Sequence, residues 1–137
     1  MTGVSVVIGN HQGERWLPEC LESLRSQTLQ PAEVIVVDGG STDRSREVAE
    51  RYGARFVQLP NRGLGHLYNA GVEATIAPYV LLSNNDVAYE ATCIELLATA
   101  LDDDQDRFAA DALQFDWEGQ RVVKARTTIS RAPLLHE

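Results

Sequence analysis

The apolar residues alternate between short β-branched runs and stripes at helical spacing. Val4-Ser5-Val6-Val7-Ile8 is an unbroken run stopped by Gly9-Asn10, the pattern of a strand buried on both faces. Trp16, Leu17, Cys20, Leu21 and Leu24 then fall on one helical face. Pro18 fits only near that helix's first turn, so the helix is expected to start between Glu14 and Trp16. Val34 to Val37 reads as a second strand, closed by Asp38-Gly39-Gly40. Ser41, Thr42 and Asp43 are N-cap residues for a helix running through Val48, Ala49 and Tyr52 to Gly53.

The alternation continues with a weaker strand over Arg55 to Leu59, a helix over Gly65 to Ala74 and a strand over Tyr79 to Leu82. A helix over Glu90 to Leu101 would place Cys93, Leu96, Leu97 and Ala100 on one side. Beyond the acidic turn Asp102-Asp103-Asp104, two strands are expected over Arg107 to Trp117 and Arg121 to Ile129, joined at Glu118-Gly119. Strand and helix alternating in this way specify a three-layer α/β/α sandwich with a mostly parallel central sheet. Ligands of such sheets bind at the carboxyl ends of the strands. Polar groups collect there: Asn10-His11 after the first strand, Asp38-Gly39 after the second, and Asn84-Asn85-Asp86 after the fourth.

Composition narrows the function. The chain has 137 residues, of which 44% are hydrophobic and 23% charged, a globular composition for one domain. Its net charge of -8 argues against nucleic acid and against an anionic membrane as partners. An anionic substrate stays compatible, because a bound cation inverts the local field. No stretch reaches the roughly 20 apolar residues of a membrane span, and the N-terminus lacks a basic signal-peptide region. Cys20 and Cys93 read as reduced, buried thiols of a cytoplasmic protein. Gly9-Asn10-His11-Gln12-Gly13 carries no Lys or Arg before Arg15, which disfavours a nucleotidyltransferase loop.

Taken together, four segments resemble the family 2 glycosyltransferases of the GT-A fold. They are Val4 to Ile8 with the helix Leu17 to Leu24 and Gln27-Thr28, Val36 to Asp43, Asn61-Arg62-Gly63-Leu64-Gly65 through Gly71, and Leu82-Ser83-Asn84-Asn85-Asp86. Their order and separations match from Val4 to about Leu101. The Asn-Asn-Asp form is most similar to rhamnosyltransferase-like members, which act in cell-surface polysaccharide biosynthesis. The resemblance implies a nucleotide-diphosphate sugar donor, a hydroxyl acceptor, and Mg²⁺ or Mn²⁺ to neutralise the leaving diphosphate. It implies a metal ligand at Asp86, standing where the family has its Asp-x-Asp, with Asn84 replacing the first Asp. Nucleotide-sugar contacts are expected from Gly9, Asn10, His11, Asp38, Gly39, Gly65, Asn69, Asn84 and Asn85. Asp38 would accept from the base or a ribose hydroxyl, and His11, where the family usually has Tyr, would stack on a pyrimidine base. Gly39 lacks the side chain with which the family often contacts the base.

Further residues are given lesser parts. Glu14, Asp111 and Asp116 are secondary candidates, His66 and His136 incidental surface residues, and the acidic run to Asp106 a solvated turn. The family's general base lies well downstream of the Asp-x-Asp and has no match here. The expectation is therefore one nucleotide-sugar-binding domain over 1–137, cut before the acceptor-binding half and prone to self-association. The alternative is a non-catalytic nucleotide-sugar binding module. A cytoplasmic location, at the inner membrane face, accompanies both.

Overall fold

Four β-branched runs build the centre of the molecule. The computed structural model describes residues 3–124, and within them β1 (Val4–Asn10), β2 (Glu33–Asp38), β3 (Arg55–Gln58) and β4 (Tyr79–Asn84) form one parallel sheet. The strand order is β3-β2-β1-β4. Helices α1 (Leu17–Arg25), α2 (Ser45–Arg51), α3 (Leu64–Glu73) and α4 (Cys93–Asp102) alternate with the strands. This is the expected single mostly parallel sheet flanked by helices. A small antiparallel hairpin, β5 (Gln114–Phe115) and β6 (Val122–Lys124), follows.

The side-chain period of two splits β1 between two cores. Val4, Val6 and Ile8 face α1, α2 and α4, joining Leu17, Leu21, Leu24, Val48 and Ile94. Val7 faces the other way, with Ile35, Val37 and Leu67 under α3. With β1 buried along its whole length, its sequence reads as a continuous apolar run.

The close approach of α3 depends on Gly71. A Cβ there would overlap Val7 Cγ1 and lie 3.0 Å from Val37 Cγ2. Alanine in a helix interior ordinarily gains about 1 kcal/mol over glycine. Here overpacking against two fully buried strand residues outweighs it. Gly71→Ala is expected to destabilise by about 1–3 kcal/mol, measured by urea unfolding.

Several boundaries differ from the sequence reading. Helix α2 starts at Ser45, not at Ser41 to Asp43, because those residues are bound to the neighbouring loop and to Asp38. Helix α4 starts at Cys93, where Gln27 Oε1 accepts from the Ile94 amide at 3.0 Å. Its buried residues are Ile94 and Ala98, one position along from the expected stripe, and Leu96 is 64% exposed. Cys93 is only half-buried, while Cys20 is fully buried. The expected strand over Arg107 to Trp117 contracts to Gln114–Phe115, and most of the positions before it are exposed and lie outside either sheet. The turn falls as expected, with Gly119 at φ 70°. The remainder of the second strand towards Ile129, and His136, lie outside the described residues.

Candidate donor-binding site

All four strands are parallel, so the ends of β1, β2 and β4 share one edge of the sheet. Asn10 pairs with Asp38, and Gly9 with Asn84, in adjacent registers. The chain leaves β1 towards β2 on one side, while β4 lies on the other, which opens a crevice at the strand ends. A cleft of about 380 Å³ occupies it, within the usual range for ligand sites. Gly9, Asn10, His11, Asn84, Asn85 and Asp86 line it, together with Asn61, Leu64 and Leu67.

Beneath the cleft runs a buried polar relay. Asn85 Nδ2 donates to Asn10 Oδ1 at 2.9 Å, and Asn10 Nδ2 donates to Asp38 Oδ1 at 2.8 Å. Three strand ends are thereby tied through side chains. Asp38 is fully buried, and its carboxylate accepts from five donor groups: Asn10 Nδ2 and Ser41 Oγ on Oδ1, and the Gly40 amide, the Ser41 amide and Gln58 Nε2 on Oδ2. Burial alone would raise its pKa; the hydrogen bonds from Ser41, Asn10 and Gln58 outweigh that and hold it below the ordinary aspartate value.

A second set of bonds fixes the loops above the relay. Gln12 adopts φ 50°, a left-handed conformation uncommon outside glycine. Its amide donates to Ser41 Oγ at 2.7 Å, and its Oε1 accepts from the Thr42 and Asp43 amides. The Glu14 amide donates to Asp43 Oδ2, and the Arg44 amide donates back to Glu14 Oε2. The loops after β1 and β2 are thus stapled together before any ligand arrives. Gly13 fits into this junction because a Cβ would overlap Asn10 Oδ1 and lie 2.5 Å from Asn85 Nδ2.

The remaining candidates are placed as follows. Asp86 is exposed and lies among the cleft residues. Tyr68 Oη lies 2.9 Å from both Ser83 O and Asn84 Oδ1, so its one proton is shared between them and orients the Asn84 amide. Gly39 is buried beside the cleft, where a Cβ would lie 3.2 Å from Asn61 Cγ. Gly65 and Asn69 are exposed residues of α3 that do not line the cleft. His66 is half-buried rather than free on the surface. Asp116 Oδ1 accepts from the Gln120 amide, and the Asp104 carboxylate binds the Asp106 amide and Arg107. Cys20, below the cleft, has its thiol pushed up to about 11 by burial.

Sequence reasoning missed Asn61, Tyr68 and Gln12. Asn61 was legible only as part of a motif; its carboxamide covers the space above Gly39, with Oδ1 accepting from the Gly63 amide at 3.1 Å. Its Nδ2 has no protein partner among the described residues. Among those residues, no three His, Cys, Asp or Glu side chains converge as a protein-only metal cage. Asp86 with the neighbouring amide oxygens offers a different donor set. One carboxylate suits a cation that takes most of its oxygens from phosphate and water. Nor is any helix among the described residues long and apolar enough to cross a membrane.

The family model described as Glycosyl transferase family 2 matches residues 5–132. The chain therefore belongs to the family 2 glycosyltransferases, and its fold is GT-A-like. The uncharacterized glycosyltransferase YibD of Escherichia coli (strain K12) is 33% identical over 120 residues, covering 83% of this chain and 34% of that protein. S. aureus TarS 1-349 in complex with UDP-GlcNAc aligns with a TM-score of 0.69 at 26% identity, over 74% of this chain and 31% of that one. Glucosyl-3-phosphoglycerate synthase from Mycobacterium tuberculosis, in complex with Mn²⁺, UDP and glucosyl-3-phosphoglycerate, aligns with a TM-score of 0.63 at 25% identity, over 73% of this chain and 39% of that one. The chain thus spans about a third of the length of these relatives.

Proposed function

We propose that this chain binds a nucleoside-diphosphate sugar with a uracil or thymine base, as the donor-binding part of a glycosyltransferase that transfers the sugar to a hydroxyl acceptor. The observation that carries the reading is the division of the cleft. Asn61, above Gly39, lies at the β2 side, and Asp86 lies beyond the end of β4. One strand, β1, separates the ends of β2 and β4, which lie about two strand spacings apart, roughly 9–10 Å. That span matches the reach from a pyrimidine ring across ribose to a diphosphate. The solved relatives carrying UDP or UDP-GlcNAc support the same class of donor.

Each group has a distinct task. Asn61 Nδ2 donates to a carbonyl of the base, taking the place of a side chain at Gly39. His11 offers a flat ring to the same base. Asp38 and Asn10, both fully engaged with protein groups, hold the loops in place rather than reach the ligand. Asn84, Asn85 and Asp86 face the diphosphate. Mg²⁺ or Mn²⁺ held by Asp86 would supply charge neutralisation for the departing diphosphate.

Asp86 is the carboxylate lining the cleft among the described residues, and it is assigned to the metal. That favours a second reading, a donor-binding module in which another part supplies the base. A transfer assay with mixed acceptors separates the two, since general-base catalysis is worth roughly 10²–10⁴-fold.

The donor assignment is tested by calorimetric competition in Mn²⁺. UDP is expected to bind at least about tenfold more tightly than GDP, and Asn61→Ala to narrow that ratio. GDP binding tightest would overturn the base assignment.

A further inference from the structure

Both tryptophans of the chain stand together outside the donor cleft, and nothing in the proposed donor chemistry uses them. The Trp16 and Trp117 rings stack with centroids 6.5 Å apart and planes 20° from parallel. Trp16 is 39% exposed and Trp117 57%. The Arg15 guanidinium covers the Trp16 ring at 4.6 Å from its centroid, and meets no carboxylate among the described residues.

The pair borders the candidate site. The Trp16 amide donates to Gly13 O at 2.9 Å, and Gly13 is wedged against Asn10 and Asn85. One helical turn further along α1, Cys20 Sγ lies 3.7 Å from Asn84 O. Trp16 thus lies about one turn of α1, some 5.4 Å along the axis, before the residue that touches the end of β4.

An aromatic pair that served only to pin the hairpin would bury its rings, because their value to folding comes from the area removed from water. Here more than half of Trp117 remains in solvent. Large exposed aromatic surface of this kind marks a site of interaction. The chemistry it suits has a flat apolar face and a polar rim. A pyranose ring has both: axial C–H groups for an indole face, and equatorial hydroxyls for donors such as Arg15.

We propose that Trp117, backed by the stacked Trp16 ring and with Arg15 at its side, forms a stacking platform for a pyranose ring of the acceptor, beside the donor cleft. The assignment to the acceptor rests on the donor reading above; the affinity for a sugar ring does not. The platform orients a hydroxylated ring at the β4 end of the cleft, next to where the donor's sugar would lie.

Excited at the red edge of the absorption band, where the tyrosines absorb little, intrinsic fluorescence reports on the two tryptophans. The 137-residue chain is titrated with methyl β-D-glucopyranoside, with cellotetraose, and with sorbitol as a hydroxyl-rich compound without a ring. A saturable emission change with the ring compounds and none with sorbitol is expected. Trp117→Ala, read from Trp16, should weaken that binding about tenfold, with Trp117→Tyr close to the parent. UDP affinity by calorimetry should not change in Trp117→Ala. An unsaturable response, an equal response to sorbitol, or undiminished sugar binding by Trp117→Ala would overturn the proposal. So would loss of UDP affinity in Trp117→Ala by the same factor, which would make the pair a prop for the site. Sugar binding by a chain that fails to bind UDP would support the platform and overturn the donor reading instead.

Discussion

Replacing Asp38 with alanine is expected to cost about 3–5 kcal/mol of folding stability. The carboxylate is completely buried, and five donor groups converge on it. Removing it leaves those donors without an acceptor, and the Asn10 amide with no anchor at the end of β1. Asp38→Asn tests the charge separately from the shape. Both oxygens meet donors, so whichever way the new amide points, its NH₂ group opposes a donor. Its loss should approach that of alanine, measured as a shift in urea midpoint. The same site gives a pH dependence of definite sign. The pKa of Asp38 is lowered in the folded protein. Its contribution is therefore complete above the unfolded value of about 3.9, and is lost as pH falls from there through the lower folded value. Parent stability should fall over that acid interval, and the Asp38→Asn variant should lack this part of the fall.

Asp86→Ala should weaken UDP binding about 100-fold in Mn²⁺ and leave it unchanged in chelator. The side chain is exposed, so its loss should not destabilise the fold. Asp104→Ala is the matched control. It removes a carboxylate from the acidic turn after α4, where Asp104 is already engaged with the Asp106 amide and Arg107. Its UDP binding should equal that of the parent. Equal UDP affinity of the Asp86 variant with and without metal is the expected signature of lost coordination. Undiminished metal dependence in that variant would move the cation elsewhere.

The sheet was legible because period and composition agree along β1, β2 and β4. A run apolar throughout reads as a strand of the sheet interior without fixing the strand order, and the turn residues that stop it mark the end where the cleft lies. The amphipathic helices were legible only to within a turn. In α4, the stripes beginning at Cys93 and at Ile94 are both apolar, and the Gln27 side chain, distant in sequence, decides where the helix starts. The hairpin was legible at its Gly119 turn and not in its strands, where two residues pair and their neighbours stand exposed.

The site divides in the same way. That Asn84 to Asp86 and His11 line one cleft could be read from their place after a strand. The role of Asp38 could not, since the same residue type at a strand end either meets a ligand or binds its own loop. Its oxygens are met here by Ser41, Gln58 and Asn10, and only Ser41 is a near neighbour in sequence. Asn61 became visible through Gly39: the space left by a missing side chain is filled from another loop. No periodicity records such an exchange.

On the proposed reading, a divalent cation and a pyrimidine nucleoside diphosphate meet at the end of β4. Paramagnetic broadening by Mn²⁺, read on the isotope-labelled chain with and without UDP, tests it most directly. The amide signals of Asn84, Asn85 and Asp86 are expected to broaden selectively, and only when UDP is present. Broadening centred on Asp102 to Asp106, or broadening near Asp86 that is indifferent to UDP, would contradict it.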